Sequence, residues 1–295
     1  MQGTDFVATD ITSLPQLMDV ARNHWVLVDI FDPNEKERKI ITELLGNKPE
    51  VVEKFKKMMD ESVDIHLEGC ALCNYEMIHE YVSITLPSIT FKEQMLVYPI
   101  VLAKKKRMII TWGEEEHSHS QIIKTTIRRL REGVEAGQDL NSSLVISVLF
   151  HEIAIKNSGT LFSIREKIDQ MEEQALENGG KQLFRSIFSL KKTISDLYRL
   201  MIEEKDFMLD VDKSVIPLIR LDTKSKPIVD EAIELIDREL DFMDSYTRTL
   251  DSILTLQDLA SIRKVESSIN YLTIILVIAT AILVILELAV VLELL

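Results

Sequence analysis

The sequence predicts an α+β domain, a mixed sheet with flanking helices, followed by a long stalk helix continuous with a single transmembrane helix. Three observations point to this membrane-protein fold. Strand-like and helix-like patterns alternate over roughly the first 115 residues. Beyond Ser118 the periodicity is almost wholly helical. Residues 271–286 contain no charged side chain, and the apolar run resumes after Glu287 to finish at Leu295, enough helix to cross ~30 Å of hydrocarbon.

The elements follow in order. Strands are expected at 25–29, 80–86, 94–103 and 107–112, where β-branched and aromatic residues concentrate. Asp32 before Pro33 is a helix-start signal, so 32–45 reads as a helix closed by Gly46, and 49–59 as a second. The cluster Lys104, Lys105, Lys106 and Arg107 between two apolar runs reads as a solvated hairpin turn. Long helices are expected at 118–136, 142–177 and 181–210, with Ser118 or Ser120 as the first cap and Gly137, Gly179 and Gly180 at the breaks. After Pro217 and Pro227 nothing interrupts a helix from 228 to the end, a rod of ~60 Å before the membrane. The segments expected are an α/β part at 1–117, a long-helix part at 118–227, a stalk at 228–268 and the span at 269–295.

Composition excludes several functions. A formal charge of -14 leaves no basic face for phosphates, so no nucleic-acid partner is expected, and cations are the natural ligands. Arg263 and Lys264 precede the span and no Lys or Arg follows it, which places the large N-terminal domain in the cytoplasm of a single-pass protein of the cell membrane. No secretory signal opens the sequence. His66, Cys70, Cys73 and His79 offer one C-x-x-C without a second pair, so burial or turn roles are expected for them. No phosphate loop or nucleophile motif is present, so neither an enzyme nor an organic cofactor is expected.

Two sevenfold series carry the chemistry. Glu266, Thr273, Thr280 and Glu287 fall on one line of the terminal helix with Asn270 beside them, a polar stripe suited to lining a pore. Glu293 falls off that line and reads as an outer-surface residue. In the stalk, Asp230, Asp237, Asp244, Asp251 and Asp258 flank a coiled-coil seam of Ile233, Leu240, Thr247 and Leu254 with Val229, Ile236, Met243 and Leu250. In a symmetric homo-oligomer these aspartates would form carboxylate rings ~10 Å apart, suited to Mg2+ or another divalent cation. Solubility is the other reading of such flanking charges. The seam turns polar at Gln257 and Ser261, where helices would diverge or surround water.

The chain resembles the CorA-type divalent-cation transporters over nearly its whole length. The likeness rests on Trp25-Val26-Leu27-Val28-Asp29 before an acidic helix, the strands near 81–86 and 108–112, the run of long helices, and Leu272-Thr273-Ile274-Ile275 opening the span. It implies a cytoplasmic α/β domain, a stalk continuing into the first membrane helix, and a homopentamer around a central Mg2+ pore. It also implies intracellular Mg2+ sensing between neighbouring domains, for which Asp230 and Glu231 lie in the corresponding upper stalk. The family's Gly-Met-Asn signature positions hold Val290, Val291 and Leu292, and no second apolar run follows. Glu266 stands where the family has an asparagine and Thr280 where it has a methionine. Two functions are therefore expected: a homo-oligomeric divalent-cation channel or transporter in the lipid bilayer, or a membrane-anchored, non-conducting metal sensor or scaffold on the same fold.

Overall fold

The computed structural model describes residues 25–30, 73–78, 80–91, 95–105, 107–113, 116–176 and 180–293, with isolated positions 39 and 43; side chains of the last helix are described to 285. The expected helices at 32–45 and 49–59 lie outside the described residues apart from those isolated positions, as do His66, Cys70 and His79.

Among the described residues five strands form one sheet in the order β1-β5-β4-β3-β2. They are β1 (Val26–Ile30), β2 (Asn74–Ile78), β3 (Tyr81–Phe91), β4 (Met95–Lys105) and β5 (Met108–Gly113). The β2 to β5 run is an antiparallel meander, and β1 adds in parallel beside β5, with Val28 opposite Ile110. Thr111 ties this edge by donating to Asp29 Oδ1 at 2.9 Å. β2 was not expected from the sequence. Its NYEMI run alternates polar and apolar residues only from Asn74 to Met77, too briefly to mark a strand, and it pairs antiparallel with β3.

β3 is buried on nearly every residue, so apolar side chains such as Val82, Ile84, Leu86 and Ile89 fill both of its faces. Pro87 of β3 stands directly opposite Pro99 of β4. The Ile89 backbone turns both its N–H and C=O toward α2, so odd-numbered residues of β3 face away from β4 and the proline pair costs that ladder no hydrogen bond.

Four helices follow: α1 (Glu116–Glu135), α2 (Ser142–Leu176), α3 (Lys181–Asp212) and α4 (Lys226–Glu293). α1 begins at Glu116, two residues before Ser118, so neither Ser118 nor Ser120 is its cap. It ends in a Schellman motif: Gln138 N–H bonds Gly133 C=O, Gly137 N–H bonds Val134 C=O, and Gly137 takes φ 85°. α3 ends the same way with Ser214 at φ 56°.

The hairpin reading of the basic cluster holds for Arg107, exposed in the β4–β5 turn, and fails for Lys104. Lys104 is buried in β4 and donates from Nζ to the carbonyl of Leu218 at 2.6 Å. Leu218 holds the left-handed φ of 64° that aims this carbonyl. Burial also lowers the Lys104 pKa, so the amine partly escapes the cost of a buried charge.

Two compact units emerge. The first contains the sheet and α1, with the helical residues up to Arg165 and from Lys192 to Ser245. Its core runs from Ile84, Leu86 and Ile109 through Phe150, Ile153 and Leu197 to Ile236, and Phe150 meets Phe207 edge to face at 5.6 Å. The second comprises Glu166–Lys191 and the residues from Tyr246 on, a helical hairpin with the lower part of α4.

Candidate functional site

α4 spends one of its two apolar series inside the chain. In the first unit Val229, Ile236 and Met243 have no exposed surface, and in the second Leu250 is likewise enclosed. Polar bonds identify what covers them. His151 and Ser158 of α2 reach Glu231 and Glu239, and Lys205 of α3 reaches Asp237. The remaining series, Ile233, Leu240, Thr247 and Leu254, stays half-exposed. The seam expected between chains is thus half intramolecular, because α2 and α3 provide the first apolar partner.

Gln257 has a related fate. It is buried, and its Nε2 donates to the Ala175 carbonyl at 3.1 Å, closing an orphan carbonyl in the last turn of α2. Its polarity serves that helix end. Ser261, one turn further along, is exposed.

The acidic series divides by partner. Asp237 and Asp251 each lie 2.5 Å from a lysine of their own chain, Lys205 and Lys191. Asp244 and Asp258 are exposed, and Asp230 is half-buried, close enough to Lys226 to help raise that amine's pKa after the direct bond the amine donates to Asp212. Glu231 is exposed and sits 3.4 Å from His151 Nε2. Among the described residues of a single chain, no three such groups converge as a metal site.

The terminal stripe is built differently. From Arg263 to Ile285 every described side chain is exposed, including Tyr271, Leu272, Leu276 and Leu283. A soluble core helix of this composition would be buried; this one presents apolar surface on all sides, as a helix meant for lipid or for other helices does. Glu266, Asn270, Thr273 and Thr280 interrupt that surface. Thr273 donates to Ile269 C=O and Thr280 to Leu276 C=O, each at 2.8 Å. Their hydroxyl hydrogens are spent within the helix, so the outward part of each hydroxyl is lone pair, an acceptor. The Glu287 and Glu293 side chains lie outside the described residues.

Two buried polar clusters escaped sequence reading. In the first, Arg129 of α1 donates from Nη1 to Glu152 Oε1 at 2.7 Å and approaches His151 Nδ1 at 2.6 Å. Guanidinium only donates, so Nδ1 is the unprotonated nitrogen and Nε2–H faces Glu231. Burial opposes the Glu152 charge, but the bond and charge of the Arg129 guanidinium outweigh it and hold the carboxyl below its usual range.

In the second, Asn157 of α2 accepts the Ile89 N–H at 2.8 Å and donates to Pro87 C=O and Glu204 Oε2, both at 2.9 Å. Thr160 donates to Ile89 C=O at 2.9 Å. Burial pushes the Glu204 carboxyl up to about 7, with the Asn157 bond pulling weakly the other way. A sequence signal existed for Glu204: with Leu197, Leu200, Met201 and Met208 it occupies the apolar face of α3. The Glu203-Glu204-Lys205 run hid it among solvent charges.

Comparisons with known proteins agree with this architecture. No curated protein matches the chain. The complete CorA magnesium transporter from Methanocaldococcus jannaschii is similar in structure at TM-score 0.63 and 14% identity, over 84% of this chain and 73% of that one. The soluble domain of the same archaeal CorA gives 0.59 at 14% identity, over 78% and 86%. The ZntB cytoplasmic domain from Vibrio parahaemolyticus gives 0.53 at 11%, over 82% and 89%. At these identities the likeness establishes the fold. A family model described as CorA-like Mg2+ transporter protein matches residues 22–285, nearly the whole length, and the chain belongs to that family.

Proposed function

We propose that this chain is one subunit of a homo-oligomeric divalent-cation channel or transporter that moves Mg2+ or a related metal ion across the cell membrane. The carrying observation is the line of Glu266, Thr273 and Thr280 on an otherwise apolar, fully exposed helix, with both hydroxyl hydrogens returned to the helix backbone. Copies of this helix around an axis would turn acceptor oxygens inward, suited to a cation or to the hydrogens of its water shell and unsuited to an anion. The large N-terminal region lies in the cytoplasm in this reading, with Arg263 and Lys264 at the inner boundary.

Roles follow from position. Glu266 and the aspartate series Asp230, Asp237, Asp244, Asp251 and Asp258 concentrate cations at the inner side, Asn270, Thr273 and Thr280 line the passage, and Glu287 marks the outer mouth. The membrane potential supplies about 4.6 kcal/mol per 100 mV for a divalent ion. Family resemblance makes the assembly a pentamer and gives Asp230 and Glu231 a place in sensing the transported ion. Binding that bridges neighbouring subunits would favour one arrangement by differential affinity.

The test is Mg2+ flux into liposomes holding the purified chain, with oligomer mass measured on the same sample. Flux from an assembled oligomer, reduced by Glu266→Gln, is expected. An assembled oligomer that passes no divalent ion defeats the proposal.

A further inference from the structure

Glu204 lies on α3 without exposed surface, at a point where α2 and α3 meet the edge of β3. That edge is open for a specific reason. Among the described residues β2 pairs with β3 only as far as Thr85, so on the side away from β4 the backbone groups at Pro87 and Ile89 have no strand beside them. Asn157 and Thr160 take its place, side chains standing in for a ladder. Asn157 commits both amide hydrogens, one to the strand at Pro87 and one to Glu204 Oε2. Glu204 therefore sets the position of the residue that closes the sheet edge.

We propose that Glu204 is a proton-operated latch: protonated, it holds Asn157 against β3, and ionised, it releases that hold.

The geometry supplies the difference between the two forms. An ionised carboxylate has about four lone-pair sites to fill. Here one is filled, by Asn157, while Oε1 is buried with no hydrogen-bond partner. Among the described residues no cation pairs with Glu204. Among the described residues, the groups bonded to it or coupled to its charge are neutral. α2 brings the Asn157 amide, and β3 brings backbone groups. On α4, Glu239 is taken up by the Ser158 hydroxyl, next to Asn157 in sequence. Cys73, just before β2, has its thiol pKa raised by burial and then by the charges of Glu204 and Glu203, so it is held neutral and supplies no positive charge. The ionised form gains hydration only by opening toward water; the neutral form carries no such penalty. The proton is exchanged with bulk water and no other reactant takes part.

The carboxyl titrates near 7 in the closed structure and near its ordinary 4.5 when opened. The closed form binds more protons between these values, so the latch is tightest below the lower one and weakens as pH rises through the upper. Acidification of the surrounding compartment tightens it. Glu152 and Asp222, both held below the ordinary carboxyl range, give the opposite sign. The latch belongs to the first unit and stands whether or not the chain conducts.

Hydrogen exchange of the full-length chain in nanodiscs, followed at residues 86–91 and corrected for intrinsic pH dependence, tests it between about pH 5.5 and about pH 8. In the wild type, protection of the Ile89 amide is expected to fall about tenfold per pH unit up to about 7 and to level off above. In Glu204→Gln, which keeps the acceptor and cannot ionise, protection is expected to be flat. A flat wild-type profile, or an unchanged slope in the variant, overturns the proposal. Should the variant not fold, infrared difference spectra of the wild type decide: a protonated carboxyl band vanishing near pH 7 is expected, and carboxyl titration confined below about pH 5.5 overturns it.

Discussion

Asn157 donates to Glu204 Oε2 across 2.9 Å while its other amide hydrogen holds Pro87 of the sheet, so a single side chain joins α3 to β3 through α2. Replacing it with Ala would strand the Ile89 N–H, the Pro87 carbonyl and Glu204 Oε2 in a place closed to water. Each buried orphan costs ~1–3 kcal/mol, so Asn157→Ala is expected to destabilise the first unit by roughly 3 kcal/mol or more. Urea unfolding monitored by circular dichroism measures it. A loss below ~1 kcal/mol would mean that water reaches these groups.

How legible this was in the sequence depended on whether a residue's role was local. Strands β1, β3, β4 and β5 and all four helices announce themselves through period and punctuation, because those signals reside in adjacent residues. β2 did not, although it pairs with the very next strand, Ile78 opposite Tyr81, because five residues are too few for their period to decide. The stripe of Glu266, Thr273 and Thr280 was legible for the same local reason: it needs only helical spacing on an apolar background. Arg129, His151, Glu152, Asn157 and Glu204 were not, because a polar residue within a helix looks solvated until its distant partner is known, as with Asn157 and Pro87, 70 residues apart. Val229 and Ile233 began equivalent series, and only the packing of α2 and α3 separates the enclosed one from the half-exposed one.

Asp222 gathers donors at the start of α4. Its Oδ1 accepts N–H bonds from Ser225 at 2.7 Å and Lys224 at 3.1 Å, and its Oδ2 accepts from Asn141 at 2.7 Å. Burial opposes its charge, but these bonds win and lower the pKa. A lowered folded pKa contributes stability above the unfolded value that is lost as pH falls through the folded one. Asp222→Ala is expected to cost ~1–2 kcal/mol at neutral pH, and the gap to the wild type should close on acidification below about pH 4. Thermal unfolding of both proteins across pH gives the comparison.

Arg129 is the only guanidinium bonded to buried Glu152 among the described residues. Arg129→Met keeps much of the stem packing and removes the charge. The expected cost is ~2 kcal/mol, below that of a fully enclosed pair because Arg129 is one-third open to water. Adding Glu152→Gln should recover most of the loss, since the orphaned charge is then gone. A double-mutant cycle reads the coupling directly.

Lys205 and Lys191 neutralise Asp237 and Asp251 within each chain. If the aspartate series collects divalent cations in the assembly, a metal must displace these lysines. Lys205→Met with Lys191→Met is then expected to tighten Mg2+-dependent protection from proteolysis by about two- to fivefold in midpoint concentration, the scale of two partly exposed ion pairs. An unchanged midpoint would make these carboxylates solubilising charges only.

Thr280 separates the pore reading from simple lipid exposure. Its hydroxyl hydrogen already returns to Leu276 C=O, so Thr280→Val removes an outward oxygen while leaving the helix its own backbone bonds. Valine matches threonine in shape, and assembly should be unaffected. If the oxygen meets the ion or its water shell at a rate-limiting point, losing ~1 kcal/mol of stabilisation there slows flux about fivefold. Thr280→Ser retains the oxygen and should conduct like the wild type, which separates a chemical effect from a change in bulk. Equal flux in all three proteins, at equal oligomer mass, would place Thr280 against lipid. The same outcome at Thr273 would leave the passage without the hydroxyl acceptors on which the proposed transport along this helix chiefly rests.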